Sequence, residues 1–303
     1  IETLAQMVEK FNEASGGAIR MTTEGFAGDF LQESFWAAIH SAKRRVDRYA
    51  TNGSASVTDL SQLQHNSVKV AGGFRPIRFE PAQMTWLQKP TAGGIEVISR
   101  HFAEAMMQEM LNTTIAALVA AIEAQASAVY DTGTGPITYR DINRAHAKFG
   151  DMSGLIVANV MDGAQYHELI DQNLANASQL FTSAGVNVVD VLGRRIIVTD
   201  APALRETGTG ADVKVLGLVD GAAMVHDAGD IITNVETSNG SERIVTTFQA
   251  DYSYGLGLKG YAWDTANGGK TPTDAELATG SNWDKVATSI KHTAGVLALG
   301  DAA

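Results

Sequence analysis

No cysteine occurs among the 303 residues. A disulfide framework, a thiolate metal site and a cysteine nucleophile are therefore excluded, and composition says nothing of redox compartment. Long apolar runs are missing too. The longest strictly apolar stretch is Ile115–Ile122, far short of the about 20 residues that span a bilayer. Charge is sparse at 19% of residues, where soluble domains carry about 25%. The first residues lack the charged-then-apolar layout of a signal peptide. The sequence opens at Ile1 instead of methionine, as a processed chain would, or one whose upstream segment is omitted. What is present is apolar material, 45% of residues, enough to core one large domain or two modest ones.

Cations are outnumbered 23 to 34, a formal net charge of −11. A nucleic-acid reader shows a concentrated basic face and usually a basic total, which this chain lacks. The deficit is uneven. Residues 43–100 carry nine basic groups (Lys43, Arg44, Arg45, Arg48, Lys69, Arg75, Arg78, Lys89, Arg100) against four acids, a net of +5. Residues 101–303 carry 12 against 24, a net of −12. One reading is a solvated helix end, where cations favour the C-terminal dipole. The other is a basic segment of one copy docked on the acidic body of the next, since complementary patches set register and encounter rate. Charge alone leaves both open.

Along the chain, Glu2–Glu13 reads as a short amphipathic helix. The spacing of Phe30, Phe35, Trp36, Ile39 and Ala42 predicts a second helix from Asp29 to Arg48. Tyr49–Phe79 is a long, largely polar excursion that cannot form its own core. Its strand pieces are Val68–Val70 and Phe74–Phe79, and Pro76 bars a central strand there. Apolar residues then recur at Ile95, Ile98, Phe102, Met106, Met110, Ile115, Leu118 and Ile122, which predicts one helix from Ile95 to Ala126. At 1.5 Å per residue it is about 48 Å long, comparable with the about 50 Å diameter of a compact ball of this chain length. A flat or elongated subunit is expected.

Downstream the pattern alternates. Gly154–Ala158 is a buried strand and Asp162–Gln172 a helix. Val186–Val191 and Ile196–Thr199 form a β pair, and Val213–Val219 and Ala222–Val225 are further strands. Ile244, Thr246, Phe248, Ala250, Tyr252 and Tyr254 then share one face of a long strand, a clean period of two. After Asp264 the chain is loop-rich, and only Trp283–Ile290 is a candidate core element.

No motif carries chemistry. Gly255-Leu-Gly257-Leu-Lys-Gly260 matches the dinucleotide fingerprint by letter, but that motif works only where the glycines open a helix. Here Tyr261-Ala-Trp263 continues a strand-like alternation, so close backbone approach in a sheet explains the glycines better. The histidines, His40, His65, His101, His146, His167, His226 and His292, never pair at metal-ligand spacing, and each is read as a surface or capping residue. There is no nucleophile elbow and no phosphate-binding loop. No catalytic, cofactor or metal residue is assigned.

The order of parts is specific where the motifs are not. A helical arm leads to a polar β excursion, one very long helix, an α/β module of about 100 residues and a long return strand. The run Val191-Leu-Gly193-Arg194-Arg195-Ile-Ile-Val-Thr-Asp-Ala-Pro202 resembles a Leu-x-Gly-x-x-Val stretch closing on proline in the major capsid proteins of tailed bacteriophages. Thr237–Asp264, with Phe248, Tyr252 and Trp263, resembles one branch of that family more closely. The resemblance implies an α+β, Hong Kong 97-type capsid fold with N-arm, extended β loop, long spine helix, axial α/β domain and peripheral-domain return strand. It implies an N-arm and leading helix over 1–44, an extended loop over 45–82 and a peripheral domain with spine helix over 83–135. The axial domain follows over 136–233, with the returning strand and C-terminal segment over 234–303.

It further implies a non-enzymatic coat protein without cofactor, assembling with itself as hexamers and pentamers of an icosahedral head. That head encloses double-stranded DNA without sequence-specific contacts or a membrane, and is built in the host bacterial cytoplasm. Portal and scaffolding proteins are implied partners, with a cement or decoration protein as a further one. A scaffolding segment would be removed ahead of Ile1 or made separately. From charge placement, Lys69, Arg75 and Arg78 are expected loop contacts between subunits, and Arg44, Arg45 and Arg48 charge anchors at the loop base. A bacterial nanocompartment shell of the same fold and a surface or filament protein stay open as alternatives. An enzyme built on Gly255–Gly260 is the most distant.

Overall fold

The structure is a computed structural model that describes residues 9, 11–13, 15–22, 30–36, 45–46, 48–49, 51, 62–79, 92–175, 194–206, 212–239, 242 and 244–302. Two sheets and one long helix organise them. The helix, α1 (Ala92–Glu123, 32 residues), agrees with the expected one to within three residues at each end. Its apolar side chains Met106, Met110, Ile115, Leu118 and Ile122 are all buried. From Thr113 to Ile122 it is buried almost all round, which is why its composition reaches that of a membrane span although the protein covers most of it. The Thr114 hydroxyl, buried there, donates to Met110 O at 2.6 Å.

The first sheet contains β1 (Ile19–Thr22), β2 (Phe30–Trp36), β3 (Gln62–Phe79), β8 (Ala223–Asp227), β9 (Ile232–Ser238), β10 (Val245–Leu258), β11 (Tyr261–Trp263) and β12 (Trp283–Lys285). Strand β10 is its axis. One edge of it pairs with β3 from Thr246 to Leu256, and the other pairs with β9 and then β8. Where α1 crosses this sheet, Phe102 meets Phe74 and Phe248 with ring centroids 4.9 and 5.4 Å apart, both edge-on. Edge-on contact suits the ring quadrupole. The period-two reading of 244–254 holds where the helix covers it: Ala250, Tyr252 and Tyr254 are buried.

Strand β3 absorbs both expected strand pieces into one run of 18 residues. Pro76 is tolerated for two reasons. Ile77 faces Phe248 and Phe74 faces Ala250, so Arg75 and Pro76 together stand opposite Gln249 as a bulge. On its other side this stretch has no strand partner among the described residues.

The expected helix over Asp29–Arg48 is corrected. Phe30–Trp36 is strand β2, antiparallel to β3 from Phe30↔Val68 to Trp36↔Gln62. Seven residues with apolar side chains at both helical and alternating intervals suit either element, and the ladder offered by β3 decides between them. The rest of that segment up to Arg44, most of the expected helix over Glu2–Glu13, and the strand over Val186–Val191 lie outside the described residues.

The second sheet runs β4 (Val129–Asp131), β13 (Gly295–Asp301), β7 (Asp212–Val219), β5 (Ile156–Met161) and β6 (Arg195–Val198). Helix α2 (Tyr139–Ala147) buries Ile142, Ala145 and His146, and α3 (Gly163–Ala175) follows β5. The expected absence of a core element outside Trp283–Ile290 in the final stretch is also corrected. Strand β13 lies between β4 and β7, with Val296, Leu297 and Ala298 fully buried. Its four apolar residues between Gly295 and Gly300 are too few to announce a strand by periodicity, and tertiary burial decides.

Helix α1 joins the sheets. Its last residue, Glu123, accepts from Lys214 of β7 at 3.0 Å, and Glu206 takes a second contact at 3.4 Å. Burial opposes the charge on Lys214, but hydrogen bonds and attraction from the two carboxylates outweigh it and raise its pKa.

Candidate functional site

Among the described residues no three His, Asp or Glu side chains gather as a metal site. The glycine run opens no helix. Gly255 and Gly257 lie within β10, and Gly260 makes the turn into β11 at φ +79°. A Cβ at Gly257 would stand 2.5 Å from Ser67 Oγ, so close strand approach accounts for that glycine.

The described histidines are mostly structural surface groups, as with His226 Nδ1, 3.0 Å from Thr22 Oγ1. His146 departs from that expectation. It is 2% exposed, between Asn159 and Arg194. Burial first, then the neighbouring guanidinium, push its pKa down from 6.5 to about 4.

The feature that stands out among the described residues is a surface. At the end where β3 finishes and β10 begins, the first sheet narrows to three strands among the described residues. All seven residues of β9 are exposed, and its outer edge carries no strand among the described residues. Val235, Phe248 and Ile77 are register neighbours and share one face. That row continues the face buried under α1, yet Val235 is 63% and Ile77 42% exposed. Ile244, just before β10, is 61% exposed, and Ile232, opposite Asp251 and so on the other face, is 69% exposed. Grouped aliphatic side chains beside an open strand edge mark an interaction surface. On the opposite face, Arg78 and Glu236 flank Thr247.

The expected contact residues divide. Arg75, in the bulge, and Arg78 are exposed at this same end. Lys69 is further along β3, opposite Gly255, with Nζ 2.9 Å from Asp230 Oδ2. Ser253 Oγ donates to the same carboxylate. Burial opposes ionisation of Asp230, but those two partners hold its pKa below the usual carboxylate value, so the charge of Lys69 is matched within its own chain. Arg45 and Arg48 are exposed in the stretch joining β2 to β3, beside Val46 at 64% and Tyr49 at 98% exposure. Arg44 lies outside the described residues.

Sequence reasoning missed β9 and its aliphatic residues. The β-branched residues Ile231, Thr233, Val235 and Thr237 at alternate positions announce a strand, but nothing in them says that Val235 stays uncovered. A groove of about 520 Å³ runs along α1, where Glu109, Asn112 and Ala116 face Pro202 and Asp274, with no cation lining it among the described residues.

The profile of the family described as Gp13-like, Major capsid protein 13-like, matches residues 1–297. The major capsid protein of Bacillus phage SPP1 is 28% identical over 145 residues, 47% of this chain and 44% of that protein. The match thus spans less than half the length of that curated relative. The capsid asymmetric unit of cyanophage Pam1 superposes with a TM-score of 0.57 at 12% identity, over 94% of this chain and 88% of that one. The Mycobacterium phage Bobi structure does so with 0.55 at 13%, over 99% and 91%. At such identities the structural likeness is one of fold.

Proposed function

This chain belongs to the Gp13-like major capsid protein family and has a Hong Kong 97-type capsid fold; from that premise we propose that it forms hexamers and pentamers of an icosahedral tailed-phage head around double-stranded DNA. The observation that carries the reading is the uncovered end of the first sheet, where Ile77, Val235 and nearby Ile244 meet solvent beside an open strand edge. Burying such side chains is worth about 25 cal/mol per Å² of apolar surface, and among the described residues of this chain none covers them. A second copy of the same chain does so in an assembled shell.

Charge supports the same partner. Arg75 and Arg78 stand exposed at that end, and Arg45 and Arg48, with Arg44, occupy the joining stretch of the β2–β3 pair. In this reading they contact the acidic remainder of a neighbour, for which the groove along α1 offers Glu109 and Asp274. Lys69, already matched by Asp230, contributes strand register instead of a free charge. The segments 45–82, 83–135, 136–233 and 234–303 serve as extended loop, peripheral domain, axial domain and returning segment. Packaged DNA is held weakly and without sequence-specific contacts, since affinity for DNA rests largely on cations at phosphates and the chain as a whole carries a net −11. Portal, scaffolding and decoration proteins are the proposed further partners, and the host cytoplasm the place of assembly. The matches are to phage proteins, which does not favour a bacterial compartment.

The test is the double variant Arg75→Glu/Arg78→Glu, followed by negative-stain microscopy and sedimentation velocity. It is expected to yield folded subunits that form no closed shells. Normal shells from this variant would remove both arginines from the interface.

A further inference from the structure

We infer that His146 is an acid-sensitive latch: as a neutral ring it holds Arg194, and with it the start of β6, against the second sheet, and once protonated it expels the guanidinium and frees that strand. The inference stands apart from the shell role and does not rest on it.

The geometry fixes the protonation state. An arginine guanidinium only donates, so the Nδ1 that receives Arg194 Nη1 must present a lone pair. The ring proton of the neutral imidazole therefore sits on Nε2, and it donates to Asn159 Oδ1 at 2.8 Å. The second arm of the guanidinium, Nη2, donates to Ser153 O at 2.7 Å. Arg194 thus ties three pieces together: α2 through His146, the 3-10 turn over Gly150–Leu155 through Ser153, and β6, which begins at the next residue. Strand β6 pairs only with β5 among the described residues, Asn159↔Ile196 and Val160↔Ile197, so it is the edge that this tie secures.

A proton on Nδ1 removes the acceptor and sets two cations face to face in a buried site. No carboxylate faces the ring from any described element packed on it. Strand β5 supplies the neutral Asn159, and β7 supplies Gly217, where an added Cβ would stand 3.0 Å from the imidazole. The turn supplies a carbonyl, its Asp151 being exposed and paired with Lys291, while Asp131 of β4 and Asp301 of β13 accept from Gly133 N and Gly135 N. On α2 itself Asp141 is engaged by Thr138 and Arg144, and Arg144 also by Tyr130. Lys148 is exposed. Nor is there space for the ring to turn away, since His146 is 2% exposed.

The sign of the pH dependence follows. The unfolded chain accepts this proton near pH 6.5, and the folded chain resists it until about 4. Stability linked to His146 is therefore complete above about 6.5 and is lost as pH falls through the interval to about 4. A displacement of that size corresponds to a factor of about 300 in the folding constant.

The test compares urea unfolding of the full-length subunit between pH 7.5 and 4 for wild type and His146→Gln. Glutamine keeps both bonds, with its carbonyl accepting from Arg194 and its amide donating to Asn159, but it takes up no proton. Carboxylates elsewhere weaken both proteins alike. Wild type is expected to lose a further factor of up to about 300, together with amide protection at Ile196 and Ile197 that the variant retains. Parallel pH profiles overturn the latch. If His146→Gln fails to fold, NMR titration of wild-type His146 decides: a midpoint well below 6.5 that rises in Arg194→Met supports it, and a midpoint at or above 6.5 overturns it.

Discussion

Lys214 allows a test in which two perturbations of one ion pair have unequal costs. Its side chain is 9% exposed, whereas its partners Glu123 and Glu206 are 40% and 57% exposed. Changing both acids to glutamine keeps their shape and leaves a buried ammonium without counter-charge, a class of change that costs about 3–5 kcal/mol. Water reaches both partner positions and restores some solvation, so we expect the lower end, about 3 kcal/mol. Glu123→Gln alone should cost about 1 kcal/mol, because Glu206 keeps its contact and a carboxylate on the last residue of α1 opposes the helix dipole. The reverse change, Lys214→Met, removes the buried charge at nearly constant volume and leaves two acids already half in water. It is expected within about 1 kcal/mol of wild type, in either direction. Urea unfolding followed by far-ultraviolet circular dichroism gives the comparison, provided the m-values agree. Were the ion pair worth the same whichever partner is removed, Lys214→Met would cost as much as the double glutamine variant. That result would refute the desolvation reasoning.

Two further outcomes follow from close packing. Gly260→Ala should lower stability by about 2 kcal/mol or more, seen as a drop in Tm. The residue has φ +79°, and a Cβ would sit 2.9 Å from the backbone of both His292 and Thr293, which cannot swing aside. Trp283→Phe should cost about 1–3 kcal/mol in urea unfolding, since the indole N–H donates to Leu277 O at 3.0 Å inside the core and phenylalanine leaves that carbonyl unpaired. Its edge-on contact with Trp263, centroids 4.9 Å apart, is weakened as well.

Legibility in the sequence followed the length of each pattern. Helix α1 was readable because eight apolar positions repeat over more than seven turns, and β10 because alternation persists across its length. The 30–36 segment misled because seven residues support two periods at once, and its partner strand begins 26 positions after it ends. Strand β13 hid because a short apolar run acquires meaning only between β4 and β7. For the surface, composition pointed to Arg75 and Arg78, since charge is visible in the letters. Ile232 and Val235 gave no such sign. A valine in a strand is ordinarily buried, and the exposure of Val235 depends on how far α1 extends across the sheet. The pairing of Lys69 with Asp230, 161 positions away, and the burial of His146 likewise arise only from the fold.

The placement of β13 also governs the order of events during synthesis. Leu297 is in register with Val129 on one side and Leu216 on the other, so the middle of the second sheet is supplied about 170 residues after its β4 edge has emerged. At ribosomal rates of about 5–20 residues per second, this is a delay of about 10–30 s. Until then β4 lacks its strand partner and β7 has an open edge toward the missing strand, the kind of surface on which nascent chains associate wrongly. A chain interrupted before Gly295 never closes that sheet. Only molecules translated through β13 therefore have the middle of this sheet filled and its β4 and β7 edges paired.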